Sequence, residues 1–424
     1  MEKPKSVLKN RMPLQDLPLL SSQGSLLHLT KRGNKRKSLS CLCEGLEVEC
    51  TPTDCIQQCS PHKHQQLLSR GKENDDNHFV IARRSRRKRE QQSGLSWDQL
   101  PDELLLKMFF YLPLRELLKM ALVCKRWNCV VFDESLWQSV DLEGLTHMGP
   151  ALQNVLKTGV RRLRCPRAFV EELQFTSTGS LNLVQLDLSS SIIPVAALES
   201  IITSCTQLQN LSLEGLQLSD TILHSMAQNV RLEQLNISGC SGFSSGALDE
   251  MLKSCERILQ LNISWCDFTA DHVKSVVHNM SPSVTHLNFS GYRENLTLDD
   301  IKVLVSRCQK MKVLDLSDST LLMVDSFPVL AQLKHLVHLS MSRCYHIHPA
   351  ALSDLVTTIP TLSVLDVFGL INDSHLPILK KEMPRVAINT RPFSIVARPT
   401  PTGKPLNYCD NTMWTQRCRL RVRL

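Results

Sequence analysis

Aromatic residues are scarce in this sequence. They make up 5% of its 424 residues, whereas 42% of the chain is apolar, so aliphatic side chains must supply most of the core. No stretch approaches the ~18 consecutive apolar residues of a membrane span, and we expect no membrane partner. A chain of this length is sufficient for more than one domain, and a core built mainly from Leu, Val and Ile favours a repetitive architecture.

Catalytic signatures are missing as well. The sequence contains no GxSxG, no P-loop, no GxGxxG after a strand and no HExxH, which are the spacings that position nucleophiles, phosphates or catalytic zinc. Its histidines are scattered along the chain. We therefore predict a non-catalytic protein without a cofactor.

The 16 cysteines include no CxxC pair. In a chain of this length they are typical of reduced, buried thiols in an intracellular protein. One cluster has the residue types that bind zinc but irregular spacing, so we predict no metal site and keep zinc as the alternative for this cluster. It comprises Cys41, Cys43, Cys50, Cys55, Cys59, His62 and His64.

The positive charge is concentrated near the start of the chain. The net charge is +8, and residues 1–92 hold 18 Lys/Arg against 10 Asp/Glu, so the remaining residues balance. Basic clusters at 31–37 and 83–89 lie in a segment without hydrophobic periodicity. We predict that 1–92 is a disordered, basic regulatory arm. Nucleic-acid binding by this arm is disfavoured, because no aromatic residues are interleaved with the basic ones.

Two short regulatory motifs fall in this arm. Ser60 opens an SPxK motif, which fits a cyclin-dependent kinase site, and Lys72, Glu73 and Asn74 form the degradation motif KEN. They mark Ser60 as a candidate phosphorylation site and the KEN triplet as a candidate degron.

Residues 94–140 change to a helical pattern. Leu104, Met108 and Leu112 recur at helical spacing in the first of three short helices, and Pro101 suits its first turn. So small a block buries too little apolar surface to be stable alone. We therefore expect it to pack against a neighbouring domain or a partner.

From about residue 180 the chain repeats. The unit LxxLxLSxx recurs at intervals of 24 to 27 residues, the period of a leucine-rich repeat. We predict an α/β solenoid over 141–390, of about ten repeats, with parallel strands on the concave face and helices on the convex face. Eight repeats are clear, and their central anchor residues are Leu186, Leu211, Leu235, Leu261, Leu287, Leu314, Leu339 and Leu365. A weaker unit, Met383–Val386–Ile388, predicts Val386 as the last anchor.

The position four residues after each anchor, here called the +4 position, departs from the repeat in a localised way. It is small in most repeats but is Trp265, Asp318 and Arg343 in three of four consecutive repeats, and Arg293 and Tyr345 are close in sequence. Exposed Trp, Tyr and Arg side chains are typical of interface hot spots, and the arginine fork suits a carboxylate or phosphate. We predict a partner site at this rim, with packing of the turns as the alternative.

The tail, 391–424, has no repeat anchor. It can cap the open end of the solenoid, which needs a polar cover, or run back over the concave face.

The order of residues in the helical block resembles a known motif. The strings LPDELL at 100–105, VCKRW at 123–127 and LW at 136–137 look like an F-box. An F-box followed by leucine-rich repeats is a known architecture. The chain, from about residue 78 to 424, resembles F-box/leucine-rich-repeat proteins of the S-phase kinase-associated type, which are substrate receptors of SCF ubiquitin ligases.

The resemblance implies partners for both parts. The F-box is expected to dock on the SCF adaptor, and through it on cullin and RING subunits, by an apolar face made of Leu100, Pro101, Leu104, Leu105, Val123 and Trp127. The solenoid is expected to recruit phosphorylated cell-cycle regulators, such as inhibitors of cyclin-dependent kinases, together with a small Cks-type accessory protein. The residues expected to meet them are Trp265, Arg293, Asp318, Arg343 and Tyr345.

The resemblance also implies a setting and a path for the tail. It places the protein in the nucleus and cytoplasm, where it would promote the G1/S transition, with cyclin–kinase complexes as partners of the basic arm. It places the tail along the concave face. The alternative function is a leucine-rich-repeat scaffold or inhibitor outside any ligase, in which the helical block only caps the solenoid.

Overall fold

The computed structural model of the protein describes residues 97–170, 179–372, 374–399, 418 and 420–421. The predicted basic arm, its Cys/His cluster, Ser60 and the KEN motif lie outside the described residues. Within the described ranges no helix is both long enough and apolar enough to span a membrane.

Three helices form the block that resembles an F-box. The first begins after Pro101, which has extended backbone angles (φ −59°, ψ 151°), so Pro101 is the N-cap rather than a residue of the first turn. The third begins after Cys124, whose sulfur accepts the backbone N–H of Trp127 at 3.4 Å. The elements are a 3₁₀ turn Trp97–Gln99, α1 Asp102–Phe109, α2 Leu114–Ala121, α3 Lys125–Val131 and a 3₁₀ turn Glu134–Leu136.

A parallel sheet with helical connections follows. Its first eleven strands lie in chain order, and β12 pairs in parallel with the outer edge of β1. The strands are β1 Ser139–Asp141, β2 Arg162–Arg164, β3 Gln185–Asp187, β4 Asn210–Ser212, β5 Gln234–Asn236, β6 Gln260–Asn262, β7 His286–Asn288, β8 Val313–Asp315, β9 His338–Ser340, β10 Val364–Asp366, β11 Ala387–Ile388 and β12 Leu420–Arg421.

Most repeats place a helix between one strand and the next. The 3₁₀ turn Pro349–Ala351 leads into the helix between β9 and β10. The helices are α4 Gly149–Lys157, α5 Val195–Thr203, α6 Asp220–Ala227, α7 Ser245–Ser254, α8 Ala270–Asn279, α9 Leu298–Arg307, α10 Ser326–Leu330, α11 Leu352–Thr358 and α12 Leu376–Glu382.

The register of the sheet confirms the predicted repeat. Leu186 lies opposite Leu211, and each predicted anchor pairs with the next through Leu365. At the last strand the prediction was wrong, because Ile388 rather than Val386 lies opposite Leu365. Both side chains are buried, so the hydrophobic pattern alone does not distinguish the two registers.

The cysteines of the solenoid are packing residues. Cys205 and Cys308 end helical segments, Cys240 and Cys344 follow strands, and all four are buried as free thiols. Burial raises the pKa of Cys205 and of Cys308 to about 12. These thiols therefore stay protonated at neutral pH and serve as small apolar side chains.

The helical block and the repeats share one hydrophobic core. The cluster of buried side chains runs without a break from Leu105 in α1 to Ile388 in β11. Trp137 lies at the junction, fully buried, where its ring stacks on Phe132 and its indole N–H donates to the carbonyl oxygen of Val131 at 2.7 Å. The block is thus fixed to the first repeat, as its small size leads one to expect.

Candidate functional site

The first candidate surface is on α1 and in the turn after α2. Leu104 and Val123 each expose close to half of their surface, and Pro101 is also exposed. Leu105 is fully buried, so it packs inside the block and offers no surface to a partner, contrary to its place among the predicted contacts. Leu104 and Leu105 are consecutive and so are separated by about 100° around the helix axis, which places Leu105 in the core while Leu104 stays exposed.

The sequence prediction omits other exposed apolar side chains of this block. Met108 follows Leu104 by four residues, on the same side of α1, and Tyr111 lies in the turn after the helix. The same spacing is found in buried helix faces, so the sequence alone does not separate the exposed set from the core. We call this set the adaptor face, after the partner that the resemblance to an F-box leads us to expect: Trp97, Leu104, Met108, Phe110, Tyr111, Leu122 and Val123.

Arg126 and Trp127 hold the start of α1 against α3. The Arg126 guanidinium donates to the Asp102 carboxylate at 2.8 Å, to the carbonyl oxygen of Asp98 at 3.0 Å and to that of Leu100. The half-buried ring of Trp127 meets Trp97 edge to face, with centroids 5.8 Å apart. Trp127 and Leu100, both predicted as adaptor contacts, are partly buried and also pack against the core of the block.

The second candidate surface is the rim formed by the +4 positions. In all ten repeats from β1 to β10 the residue there has a positive φ, a conformation that glycine adopts without a steric penalty. Its amide extends the ladder: the N–H of Trp265 donates to the carbonyl oxygen of Ser290, and that of Asp318 to Ser342. The positions are Gly144, Arg167, Ser190, Gly215, Gly239, Trp265, Gly291, Asp318, Arg343 and Gly369.

A large side chain at a +4 position is therefore unfavourable for the backbone. A left-handed non-glycine residue costs about 1–2 kcal/mol, and such residues cluster at functional sites. Trp265, Asp318 and Arg343 adopt this unfavourable conformation within four consecutive repeats. Arg167 and Ser190 adopt the same conformation at the +4 positions of earlier repeats, so the backbone alone does not distinguish the predicted rim site, which stays a prediction.

Asp318 organises the positive charge of this rim. Its side chain is buried, and it accepts hydrogen bonds from Nε of Arg343 at 2.9 Å and from Nη2 of the same residue. These bonds hold the pKa of Arg343 above its usual value. Arg293 lies 4.0 Å from the same carboxylate with its own side chain mostly exposed. Asp318 is therefore a positioning residue, and the arginines are the groups that a ligand can reach.

Two aromatic side chains flank these arginines. Trp265 is 49% exposed, and its indole occupies the space that a side chain at Gly291 would need. Tyr345 is 62% exposed. Phe393 in the tail is also exposed, although no pattern in the sequence singles it out. The rim thus combines exposed aromatic faces with a net positive charge, which suits an acidic or phosphorylated segment.

The tail contacts the concave face. The Asn262 side-chain amide donates to the carbonyl oxygen of Val396 at 3.2 Å, and the N–H of Ala397 donates to Gln260 at 3.3 Å. Arg398 pairs with Glu214 at 2.8 Å. Residues 396–398 therefore lie across β4 to β6.

The concave face also carries buried ionisable groups near its other end. Oδ2 of Asp366 lies 2.7 Å from Nε2 of His338. Oδ1 of Asp315 accepts a hydrogen bond from the backbone N–H of Ser317. Burial raises the pKa of Asp315 above the usual range of an aspartate. Among the described residues no group of three or more His, Cys, Asp or Glu is placed to hold a metal ion.

The backbone at Trp265 gives a stability prediction. Trp265→Ala and Trp265→Gly remove the same indole, but only glycine adopts the φ of 56° without backbone strain. We expect the alanine variant to have a free energy of unfolding lower by about 1 kcal/mol than the glycine variant, measured by urea denaturation. Lys253, which is exposed on α7, is the control: there the alanine variant should be more stable than the glycine variant, because alanine has the higher helix propensity. Equal stability of the two Trp265 variants would contradict a strained rim.

Asp315 gives a pH prediction. The folded state binds the Asp315 proton more tightly than the unfolded chain does, so this residue's contribution to stability falls as the pH rises from the ordinary aspartate pKa through the raised one. Asn236, Asn262 and Asn288 occupy the equivalent place in neighbouring strands. We expect Asp315→Asn to raise the melting temperature at pH 7 and this gain to shrink towards pH 4. A gain independent of pH would indicate a cause other than ionisation.

Comparison with known proteins follows the same division of the chain. Residues 97–143 match the family described as F-box-like, and residues 150–421 match the family described as the SKP2 LRR domain. The second match covers more than half of the chain.

Individual relatives match more weakly. Human F-box/LRR-repeat protein 12 is 39% identical over 59 residues, which are 14% of this chain and 18% of that protein. F-box/LRR-repeat protein 21 from Bos taurus is 22% identical over 232 residues, 47% of this chain and 53% of that protein. The chain thus spans about half or less of the length of these relatives.

Among solved structures, the leucine-rich repeat-containing protein LegL7 from Legionella pneumophila is 22% identical, with a TM-score of 0.34, over 50% of this chain and 75% of that one.

An F-box joined to leucine-rich repeats is an architecture typical of non-catalytic substrate adaptors. The chain belongs to the F-box/leucine-rich-repeat proteins, with a repeat domain of the SKP2 type.

Proposed function

We propose that the chain is a substrate-receptor subunit of an SCF ubiquitin ligase, of the S-phase kinase-associated type. The adaptor face docks on the SCF adaptor, which links it to cullin and RING subunits. The observation that carries this proposal is a small helical block with seven large apolar side chains exposed on it. A soluble monomer rarely keeps such a surface uncovered.

The fixed joint between the two domains supports a receptor role. Because Trp137 is buried between the block and the repeats, docking of the block also sets the orientation of the solenoid. A ligand at the rim is then held at a defined distance from the enzymes of the ligase. The chain itself contributes binding and orientation rather than a reacting group.

At the rim we propose that the ligand is a phosphorylated segment of a cell-cycle regulator, such as an inhibitor of cyclin-dependent kinases, presented with a small Cks-type accessory protein. The exposed guanidinium of Arg293 and the oriented one of Arg343 supply forked donors for carboxylate or phosphate. Trp265 and Tyr345 supply the aromatic anchors. Removal of such inhibitors would promote the G1/S transition, in the nucleus and cytoplasm, with cyclin–kinase complexes recruited by the basic arm.

The adaptor face is tested by Leu104→Asp. A carboxylate at this exposed site would be buried without a partner on docking, so we expect adaptor affinity to fall by at least about 100-fold. The fold should survive, because the side chain is exposed in the free protein. The measurement is co-purification and calorimetric titration with the SCF adaptor, with circular dichroism on both chains.

The matched control is Arg115→Asp, which places the same side chain at an exposed polar position of α2 and should leave adaptor binding intact. If the wild-type chain is folded but retains no adaptor, the receptor proposal fails and a scaffold outside the ligase takes its place. Loss of the fold in Leu104→Asp would likewise contradict an exposed docking role.

The rim is tested by Arg293→Ala. The lost charge-assisted hydrogen bonds should weaken binding of a phosphorylated inhibitor peptide with its Cks-type partner by about 10- to 100-fold. The melting temperature should not change, since the side chain is exposed. Lys302→Ala removes the same charge from the exposed surface of α9 and serves as the control. Equal affinities of the two variants would contradict a specific role for Arg293.

A further inference from the structure

A second ligand surface is suggested by the trough that the tail crosses on the concave face. Val396 and Ala397 are buried there, although they lie more than a hundred residues from the strands they contact. Beyond Arg398 the trough continues as a cavity of about 240 Å³. The cavity is lined by Glu143, Arg164, Pro166, Arg167, Asp187, Ser189, Ser190, Glu214, Arg398 and Pro399. Of the described tail residues, Arg398 and Pro399 line this cavity.

Among the described residues, the charges of the ion-pair network in this trough balance only when the tail is present. Four carboxylates of the solenoid form its ion-pair network, and two arginines of the solenoid, Arg164 and Arg167, oppose them. The tail supplies the other two cations: Arg398 pairs with Glu214, and Arg421 lies 3.9 Å from Asp141. The four carboxylates belong to Asp141, Glu143, Asp187 and Glu214. Without the tail the trough carries an excess of negative charge and favours a basic occupant.

The tail segment is held by few bonds. Two hydrogen bonds of 3.2 and 3.3 Å join its backbone to the strands, and the Arg398–Glu214 ion pair is partly exposed to solvent. Ala397 has a positive φ of 52°, which is unfavourable for a residue with a side chain. A segment of the same chain can occupy a site with such contacts, because its effective concentration there is high.

We propose that this trough is a binding groove for a short peptide that turns at two small apolar residues followed by an arginine, and that residues 394–399 occupy it as an internal ligand. Glu214 recognises the arginine, and Asn262 and Gln260 read the backbone of the two residues before it. A partner segment with this chemistry competes with the tail for the groove. The groove is distinct from the rim, which has the opposite charge preference.

The test uses the full chain in complex with the adaptor and a fluorescent peptide with the sequence of residues 391–399. The tail is loosened by Arg398→Ala, and peptide binding is measured by anisotropy. We expect the loosened chain to bind the peptide at least about 10-fold more tightly than the wild-type chain, because its internal competitor is weakened. Glu214→Gln in the loosened chain should abolish this gain, and so should glutamate in place of arginine in the peptide.

The matched control is Lys302→Ala. Lys302 is exposed on α9, outside the lining of the cavity, so its removal should not increase peptide binding. A charge exchange gives the strongest support: a Glu214→Arg chain should bind the peptide that carries glutamate in place of arginine and reject the original peptide.

The proposal is overturned if the loosened chain, shown to be folded by circular dichroism, binds the peptide no better than the wild-type chain. The tail is then a structural strap and not an exchangeable ligand. Adaptor binding is measured on the same samples and should be equal in all of these variants. Failure of the groove is thus distinguishable from failure of the proposed ligase role.

Discussion

The solenoid depends on one backbone constraint, the left-handed residue that follows each strand. Its amide continues the hydrogen-bond ladder into the next repeat, and this geometry requires a positive φ at the same position each time. Glycine adopts a positive φ without a steric penalty, which explains why the residue at the +4 position is small in most repeats. Because strands are about 4.8 Å apart, any exceptions in neighbouring repeats stand side by side. The constraint that builds the fold therefore also makes the rim a place where a few substitutions assemble a surface.

The rim and the adaptor face are connected through packing rather than through any direct contact. One core extends from α1 to β11, so the helical block and the repeats behave as a single support for two separate surfaces. The shared core stabilises the helical block, which is too small to bury enough apolar surface by itself. Its apolar side chains divide accordingly, with Leu105 turned towards the shared core and Leu104 left for a partner.

The sequence was sufficient for the architecture because a repeat gives many independent samples of the same pattern. Eight anchors fixed the register, and only Val386 was chosen in place of Ile388, at the last strand, where both candidates are buried. The sites were less predictable. Leu104 is exposed and Leu105 is buried within α1, and hydropathy does not indicate which of the two meets a partner. The role of Asp318 depended on its burial beneath Arg343, and the contacts of the tail join residues too far apart in sequence for any local pattern to reveal.

The two surfaces of the solenoid differ in electrostatic preference, and the difference has a structural cause. At the rim a single buried carboxylate, Asp318, is shared by two arginines, which leaves positive charge facing solvent. In the trough the carboxylates outnumber the arginines of the solenoid, and the tail corrects the deficit. A stable sheet does not require charged side chains at either site. In the middle strands the buried polar positions are occupied by the neutral residues Asn236, Asn262 and Asn288. Charges that are costly to bury and residues that strain the backbone are concentrated where a ligand of defined charge can offset them, and for this reason we propose that both surfaces bind ligands.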